Sequence, residues 1–411
     1  MKTQLIIMAL GVLGLASCTK TQLGETTNQD SNNGTALAKT LSILPDTLVD
    51  AGAFPQTKNL YHKLKVTGLT GVLFGHQDDR IQGVYGDSWK YVPNKSDVKN
   101  LIGEYPGIVG HELGNIELNV TYNADGLLFS KVRQSIVDHY NAGGVISLLW
   151  ACNNPIIPAT GRKADPSTEG TITKLFDPAH PEYLVTYRKY MDSLASFLKN
   201  LKGADGKVIP VLFRTLHEQN GAWYWWGKTH CTPAEYKTMW KYTVNYLKFN
   251  AGVHNLLYVY CPSSFASQTE YMETYPGSNY VDIMAADIYD KTSTHSSFVT
   301  NANTMVATIK TLAQNAHKPF GITETGIDQV PNSDWWTQTL KPIIRNKGMS
   351  FAVTWRNVRL TDSIAPNGTV YKKTWYCAFT GSASAADFGS FHGDTVFYFL
   401  NKAASKQYYL P

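Results

Sequence analysis

Two carboxylates sit in this chain where sugar-bond chemistry would need them. The first, Glu218, lies in the run Val211-Leu212-Phe213-Arg214-Thr215-Leu216-His217-Glu218, and the rings of Trp223, Tyr224, Trp225 and Trp226 follow it. A carboxyl group set among apolar rings has its ionised form disfavoured and stays protonated near neutral pH, which is the state a general acid needs. The flat faces of Trp and Tyr suit the C–H faces of pyranose rings. Rings at consecutive positions cannot all point into one core, so some of the four must face a cleft or solvent. The second carboxylate, Glu324, lies in Phe320-Gly321-Ile322-Thr323-Glu324-Thr325-Gly326, where small neighbours let a sugar ring approach. Two carboxyls about 5–5.5 Å apart support double displacement, with one attacking the anomeric carbon and the other protonating the leaving oxygen.

Both acids fall at the ends of short apolar runs. Such runs, rich in β-branched residues, occupy 71–76, 107–113, 145–152, 211–218, 256–263, 281–289, 319–325 and 349–355. Helix-like segments lie between them at 96–102, 131–141, 181–200, 233–251, 297–316 and 334–345, while 153–173 and 202–207 read as loops. Alternation of this kind predicts an α/β fold, a (β/α)8 TIM barrel forming a single catalytic domain over 41–411. A doubly wound open sheet would use the same alternation, but no Gly-rich phosphate loop follows any of the runs. In a barrel the catalytic groups sit at the carboxyl ends of the strands. Here those ends carry His76, His111-Glu112, Trp150, His217-Glu218, Asp287-Ile288-Tyr289, Glu324 and Trp355-Arg356-Asn357.

On these motifs the chain resembles glycoside hydrolase family 26, a family of retaining glycosidases that are mostly endo-β-1,4-mannanases. The segment 214–227 is similar to its acid/base motif and Ile322-Thr323-Glu324-Thr325-Gly326 to its nucleophile motif. Phe74-Gly75-His76-Gln77, Asp287-Ile288-Tyr289 and Trp355-Arg356-Asn357 fall where that family has its first-, sixth- and eighth-strand motifs. The resemblance implies Glu218 as proton donor, Glu324 as nucleophile and Tyr289 as the hydroxyl that holds Glu324. It also implies that His217 contacts the reacting sugar, that Trp223 lies under it, and that Trp355 and Arg356 bind on the non-reducing side. Asp287 and His111 are further sugar-contact candidates. Two departures stand out: Ala151 replaces the histidine usual after the third-strand tryptophan, and no Trp occurs between Trp150 and Trp223.

The implied substrates are β-mannan polysaccharides and manno-oligosaccharides, hydrolysed to short products such as mannobiose. A mannobiose-releasing exo enzyme, a β-1,3-xylanase and a mixed-linkage glucanase on the same machinery stay open, as does a noncatalytic glycan-binding lipoprotein. That last alternative has no use for two opposed carboxylates. No cofactor is required, and no metal is expected, because the histidines lack ligand spacing. Asp78 and Asp79 read as loop and capping residues.

The 411-residue chain carries 37 Lys+Arg against 32 Asp+Glu without a dense basic run, which argues against a nucleic-acid partner. Its 12% aromatic content, with 10 Trp and 24 Tyr, suits a carbohydrate-facing surface. Residues 1–18 read as an export leader, and Leu15-Ala16-Ser17-Cys18 resembles a bacterial lipobox in which Cys18 becomes the lipidated first residue. Residues 19–40 are polar and predict a flexible tether. The expectation is an exported, membrane-anchored monomer on the periplasmic side of the envelope, with surface display as the alternative. The remaining cysteines, Cys152, Cys231, Cys261 and Cys377, allow three pairings or free thiols.

Overall fold

The structure, a computed structural model, describes residues 46–85, 90–291, 295–364 and 370–411. The leader with Cys18 and the tether at 19–40 lie outside the described residues.

Eight parallel strands close into a barrel: β1 (Val72–Gln77), β2 (Ile108–Glu112), β3 (Val145–Trp150), β4 (Val211–Thr215), β5 (Leu256–Tyr260), β6 (Ile283–Tyr289), β7 (Phe320–Gly326) and β8 (Phe351–Thr354). Closure comes from β1 pairing with β8, Leu73 opposite Phe351 through His76 opposite Thr354. Nearly every strand residue is buried, because one face fills the barrel interior and the other meets the surrounding helices. This explains why the runs read as continuously apolar rather than alternating. Each expected strand is present with its ends within three residues of those expected, and the polar ends project into the loops above.

The helices follow their local signals. Ser96 accepts the Lys99 N–H at the start of Asp97–Ile102, and Thr232 with Glu235 forms a capping box for Pro233–Asn245. The expected helix at 233–251 ends in a π turn at Tyr246–Asn250, and that at 334–345 divides into a π segment, Trp336–Leu340, and Lys341–Ile344.

One element absent from the sequence reading is the helix Pro55–Thr70, which covers the barrel floor. The Val49 N–H donates to Asp282 at 2.8 Å, the Phe54 N–H to the His254 carbonyl at 3.0 Å, and the Ser350 hydroxyl to the Leu64 carbonyl at 2.7 Å. Near the carboxyl terminus, Phe397–Tyr398 adds a short parallel pairing beside Val72 and Leu73. Phe74, Trp336, Phe388, Phe391 and Phe399 form an aromatic cluster behind β1. Among the described residues no helix is long and apolar enough to cross a membrane.

Candidate active site

Glu218 does not continue β4 but stands on a tight turn above it. Leu216 and Glu218 both have positive φ, 48° and 52°, a conformation that costs a non-glycine residue about 1–3 kcal/mol and persists only where the surroundings impose it. Here they do. The Glu218 N–H donates to the Cys261 carbonyl at 2.8 Å, the Tyr236 hydroxyl to the Leu216 carbonyl at 2.9 Å, and the Trp226 indole to the His217 carbonyl at 2.8 Å. The Trp225 indole reaches the Cys152 carbonyl at 3.1 Å, tying the turn to the end of β3.

The four-ring run therefore divides by role. Trp225 and Trp226 are fully buried and brace the turn, Tyr224 stacks on Trp226 at 4.5 Å, and Trp223 is 44% exposed. Trp223 turns its indole N–H to Glu218 Oε2 at 2.8 Å. Its ring occupies the space above Gly221, where an added Cβ would sit 2.2 Å from the indole, so only glycine permits this approach. Burial, then the charge of Glu324, pushes the Glu218 carboxyl up to about 7, against the opposing pull of Trp223 and Arg214. A carboxyl held there is suited to give and retake a proton near neutrality.

Glu324, on β7, is 5% exposed and is held from two sides: Arg214 Nη2 donates to Oε1 at 2.5 Å and the Tyr289 hydroxyl to Oε2 at 2.7 Å. Burial, followed by the charge of Glu324, keeps the phenol of Tyr289 well above its usual range, so it retains the proton it donates. Arg214 also places Nη1 3.0 Å from both Asp287 oxygens, and the Thr323 hydroxyl donates to Asp287 Oδ1 at 2.7 Å. Arg214 is thus a buried bridge between Asp287 and Glu324, a role sequence reasoning missed. The available signal was a charge inside an otherwise apolar strand run, since a buried charge must be paired.

Three expectations need correction. His111 is not a sugar contact: its ring is fully buried, with Nδ1 2.8 Å from Asp78 and Nε2 2.9 Å from Ser135, so no ring nitrogen is left for a ligand. Asp287 is also fully buried and faces Arg214 rather than the cleft. Asp78 and Asp79 are internal anchors rather than loop caps, Asp78 holding His111 and Asp79 holding His76 at 2.7 Å.

His217 lies beside the acid, with Nε2 3.2 Å from the Tyr224 hydroxyl. Burial, with Arg214 and Arg162 nearby, lowers its pKa well below the usual imidazole range, leaving it neutral. His217, Asp287 and Glu324 place ligand atoms within 4.8 Å of one another. The guanidinium of Arg214 already occupies both carboxylates with hydrogen bonds, which makes this donor set a poor cation site.

On β8's side Trp355 and Arg356 come together, with the guanidinium 5.4 Å from the indole centroid. Arg356 is anchored on Asp125 at 2.5 Å, and Arg162, from the segment after β3, reaches the same carboxylate at 3.8 Å. Ala151 is buried and its N–H donates to Glu112 at 3.2 Å, so that position does not line the cleft. Arg162 and Arg356 line a cavity of about 900 Å³ that extends to Lys372 and is lined by neither Glu218 nor Glu324.

With this geometry in hand, the chain can be set beside known proteins. Residues 49–331 match the model of Glycosyl hydrolase family 26. A mannan endo-1,4-beta-mannosidase of Bifidobacterium adolescentis is 29% identical over 367 residues, covering 83% of this chain and 34% of that protein. One from Bacillus subtilis is 29% identical over 214 residues, covering 50% of this chain and 57% of that protein. The chain thus spans about a third and somewhat over half the length of these two relatives. Among solved structures, a GH26 beta-mannanase from Bacteroides ovatus superposes with a TM-score of 0.77 at 34% identity, covering 85% of this chain and 96% of that one. GH26C from Muricauda sp. gives 0.76 at 26% identity, covering 94% and 100%. A barrel with Glu218 above β4, Glu324 on β7 and a family match over most of its folded length has one assignment: the chain belongs to glycosyl hydrolase family 26.

Proposed function

We propose that this chain is a retaining endo-β-1,4-mannanase. The observation that carries the reading is the unequal treatment of two neighbouring carboxyls. Glu218 is held by burial near the protonated state, while Glu324 accepts hydrogen bonds from a guanidinium and a phenol. Glu324 attacks the anomeric carbon as Glu218 gives its proton to the leaving oxygen. Water then enters, Glu218 takes a proton from it, and the glycosyl–Glu324 bond breaks. Trp223 orients the acid through its indole N–H, and Trp355 with Arg356 holds the non-reducing part of the glycan. The endo mode is favoured over mannobiose release from a chain end because a cavity of about 900 Å³ opens beside Arg356, with room for further sugars.

The test is proton NMR of mannotetraose hydrolysis, combined with mass spectrometry of enzyme trapped by a 2-fluoro mannobiosyl donor. A β-anomer as the first-formed product and a label on Glu324 are expected. An α-anomer, or a label elsewhere, defeats the mechanism. Product profiles on mannan, β-1,3-xylan and mixed-linkage glucan decide the substrate.

The leader-like residues 1–18 and polar residues 19–40 support a second element of the proposal. In it Cys18 carries a lipid that tethers a monomeric enzyme to the periplasmic side of the envelope. Replacing Cys18 with Ser is expected to move the protein to the soluble fraction with catalysis intact. Unchanged membrane partitioning of that variant defeats the anchor.

A further inference from the structure

The segment that follows β3 is stitched to the ring-bearing turn above β4. The Trp225 N–H donates to the Arg162 carbonyl at 3.3 Å, the Ala164 N–H donates to the Trp223 carbonyl at 2.8 Å, and Lys163 pairs with Tyr224 as an antiparallel bridge. The main chain of Arg162 is thereby fixed beside the stretch that carries Trp223 to Glu218. Its guanidinium is held far less firmly. Nη2 lies 3.8 Å from Asp125, beyond hydrogen-bond range, Nη1 is enclosed without a partner, and the group makes no hydrogen bond among the described residues. Arg356, by contrast, sits 2.5 Å from the same carboxylate. The Arg162 side chain is 31% exposed and lines, with Arg356, the cavity on this side of the barrel mouth. Its charge is felt by His217 and Tyr224 on one side and by Glu112 and Asp125 on the other, which places it between the sugar-contacting histidine and Arg356.

An arginine left without hydrogen bonds on a concave wall is costly, because each enclosed N–H that lacks a partner forfeits a bond it would make to water. The group is also a planar fork, and its parallel N–H groups match two neighbouring oxygens at once. Asp125 already provides a counter-ion. What the fork lacks is a pair of neutral acceptors, and the vicinal hydroxyls of a pyranose are such a pair. We propose that Arg162 is a specificity-determining residue that binds two adjacent hydroxyls of the sugar next to the reacting one, on the non-reducing side. That side follows from the Asp125 it shares with Arg356 and so rests on the mannanase reading, whereas the demand for paired oxygen acceptors rests on the geometry of Arg162 itself.

The experiment measures kcat/KM of the full chain for an aryl β-mannobioside and for analogues that each lack one hydroxyl of the non-reducing sugar. Wild type, Arg162→Met and Arg162→Lys are compared. Each deletion is read as a ratio to the parent substrate within one protein, so a general loss of folded or active enzyme cancels. In wild type two adjacent deletions are expected to cost about tenfold or more each, the size of a hydrogen bond to a charged donor. Both penalties are expected to shrink to within about twofold in Arg162→Met, while Arg162→Lys, a point charge without the fork, keeps one at most. A wild type without the paired penalty, or a Met variant that retains it, overturns the proposal. Cleavage of the matching aryl β-cellobioside and not of the mannobioside defeats the mannanase reading, and the same deletions made on the cellobioside then decide the role of Arg162.

Discussion

Replacing Arg214 with Met removes the one positive charge between two buried carboxylates. Its Nη2 lies 2.5 Å from Glu324, and its Nη1 lies 3.0 Å from each oxygen of Asp287. At an effective dielectric of ~20 and a charge separation of ~4 Å, one opposite charge is worth about 4 kcal/mol. At about 1.4 kcal/mol per factor of ten, that corresponds to about a thousandfold in an equilibrium or rate constant. The expected loss in kcat/KM on mannotetraose at neutral pH is therefore about 10²- to 10³-fold. Stability should fall too, by about 3–5 kcal/mol, since breaking one partner out of a buried charge cluster leaves the rest uncompensated. The sign of the pH dependence is fixed by Asp287, whose carboxyl is already raised well above its usual range by burial and by Glu324, with Arg214 opposing. An acid whose folded-state pKa is raised destabilises the fold once pH exceeds its unfolded value, and the penalty is relieved as pH falls and the group protonates. The variant's deficit in urea melts should therefore be larger at pH 8 than at pH 5. Arg214→Lys, which keeps the charge but not the fork, should fall between variant and wild type. A Met variant with more than about a tenth of wild-type activity and an unshifted urea midpoint would refute the bridging role.

The remaining expectations concern the acid and the cleft. Because Glu218 must be protonated to act and its pKa is about 7, kcat/KM should decline as pH rises through roughly that value. Trp223→Phe removes a hydrogen bond that favours the carboxylate, so it should carry this alkaline limb upward as well as slowing turnover; an unmoved limb would make Trp223 a platform only. Glu218→Ala should impair mannan cleavage far more than cleavage of an aryl mannoside with a good leaving group, and equal losses on both would make Glu218 positional. Arg356→Ala frees Asp125 from its 2.5 Å partner and weakens binding on the non-reducing side. It should therefore lower turnover on mannotetraose and shift its products away from mannobiose, because remote binding energy positions the scissile bond. Unaltered rate and product ratios would show that this side contributes little.

The local pattern of the chain determined the barrel and its two acids. Strand and helix each leave a short-range periodicity, and strands buried on both faces leave continuous apolar runs, so all eight strands were legible, as were the carboxylates at the ends of the fourth and seventh. The helix Pro55–Thr70 was not, since what defines it is its place across the barrel floor rather than a strong amphipathic stripe. The roles of polar residues at strand ends were beyond local reading. His111 and Asp287 occupy strand ends as Tyr289 and Glu324 do, yet the first two turn into the protein and the last two meet at the cleft. Likewise, nothing in the spacing of Trp223, Trp225 and Trp226 says which ring braces the turn and which reaches Glu218. Those choices depend on what neighbouring elements place opposite each side chain: Asp78 and Ser135 for His111, Cys152 for Trp225, Arg214 for Asp287 and Glu324. Sequence spacing carries the period of an element, whereas burial and partner are set by closure of the barrel, which brings together residues as far apart as Arg214 and Glu324.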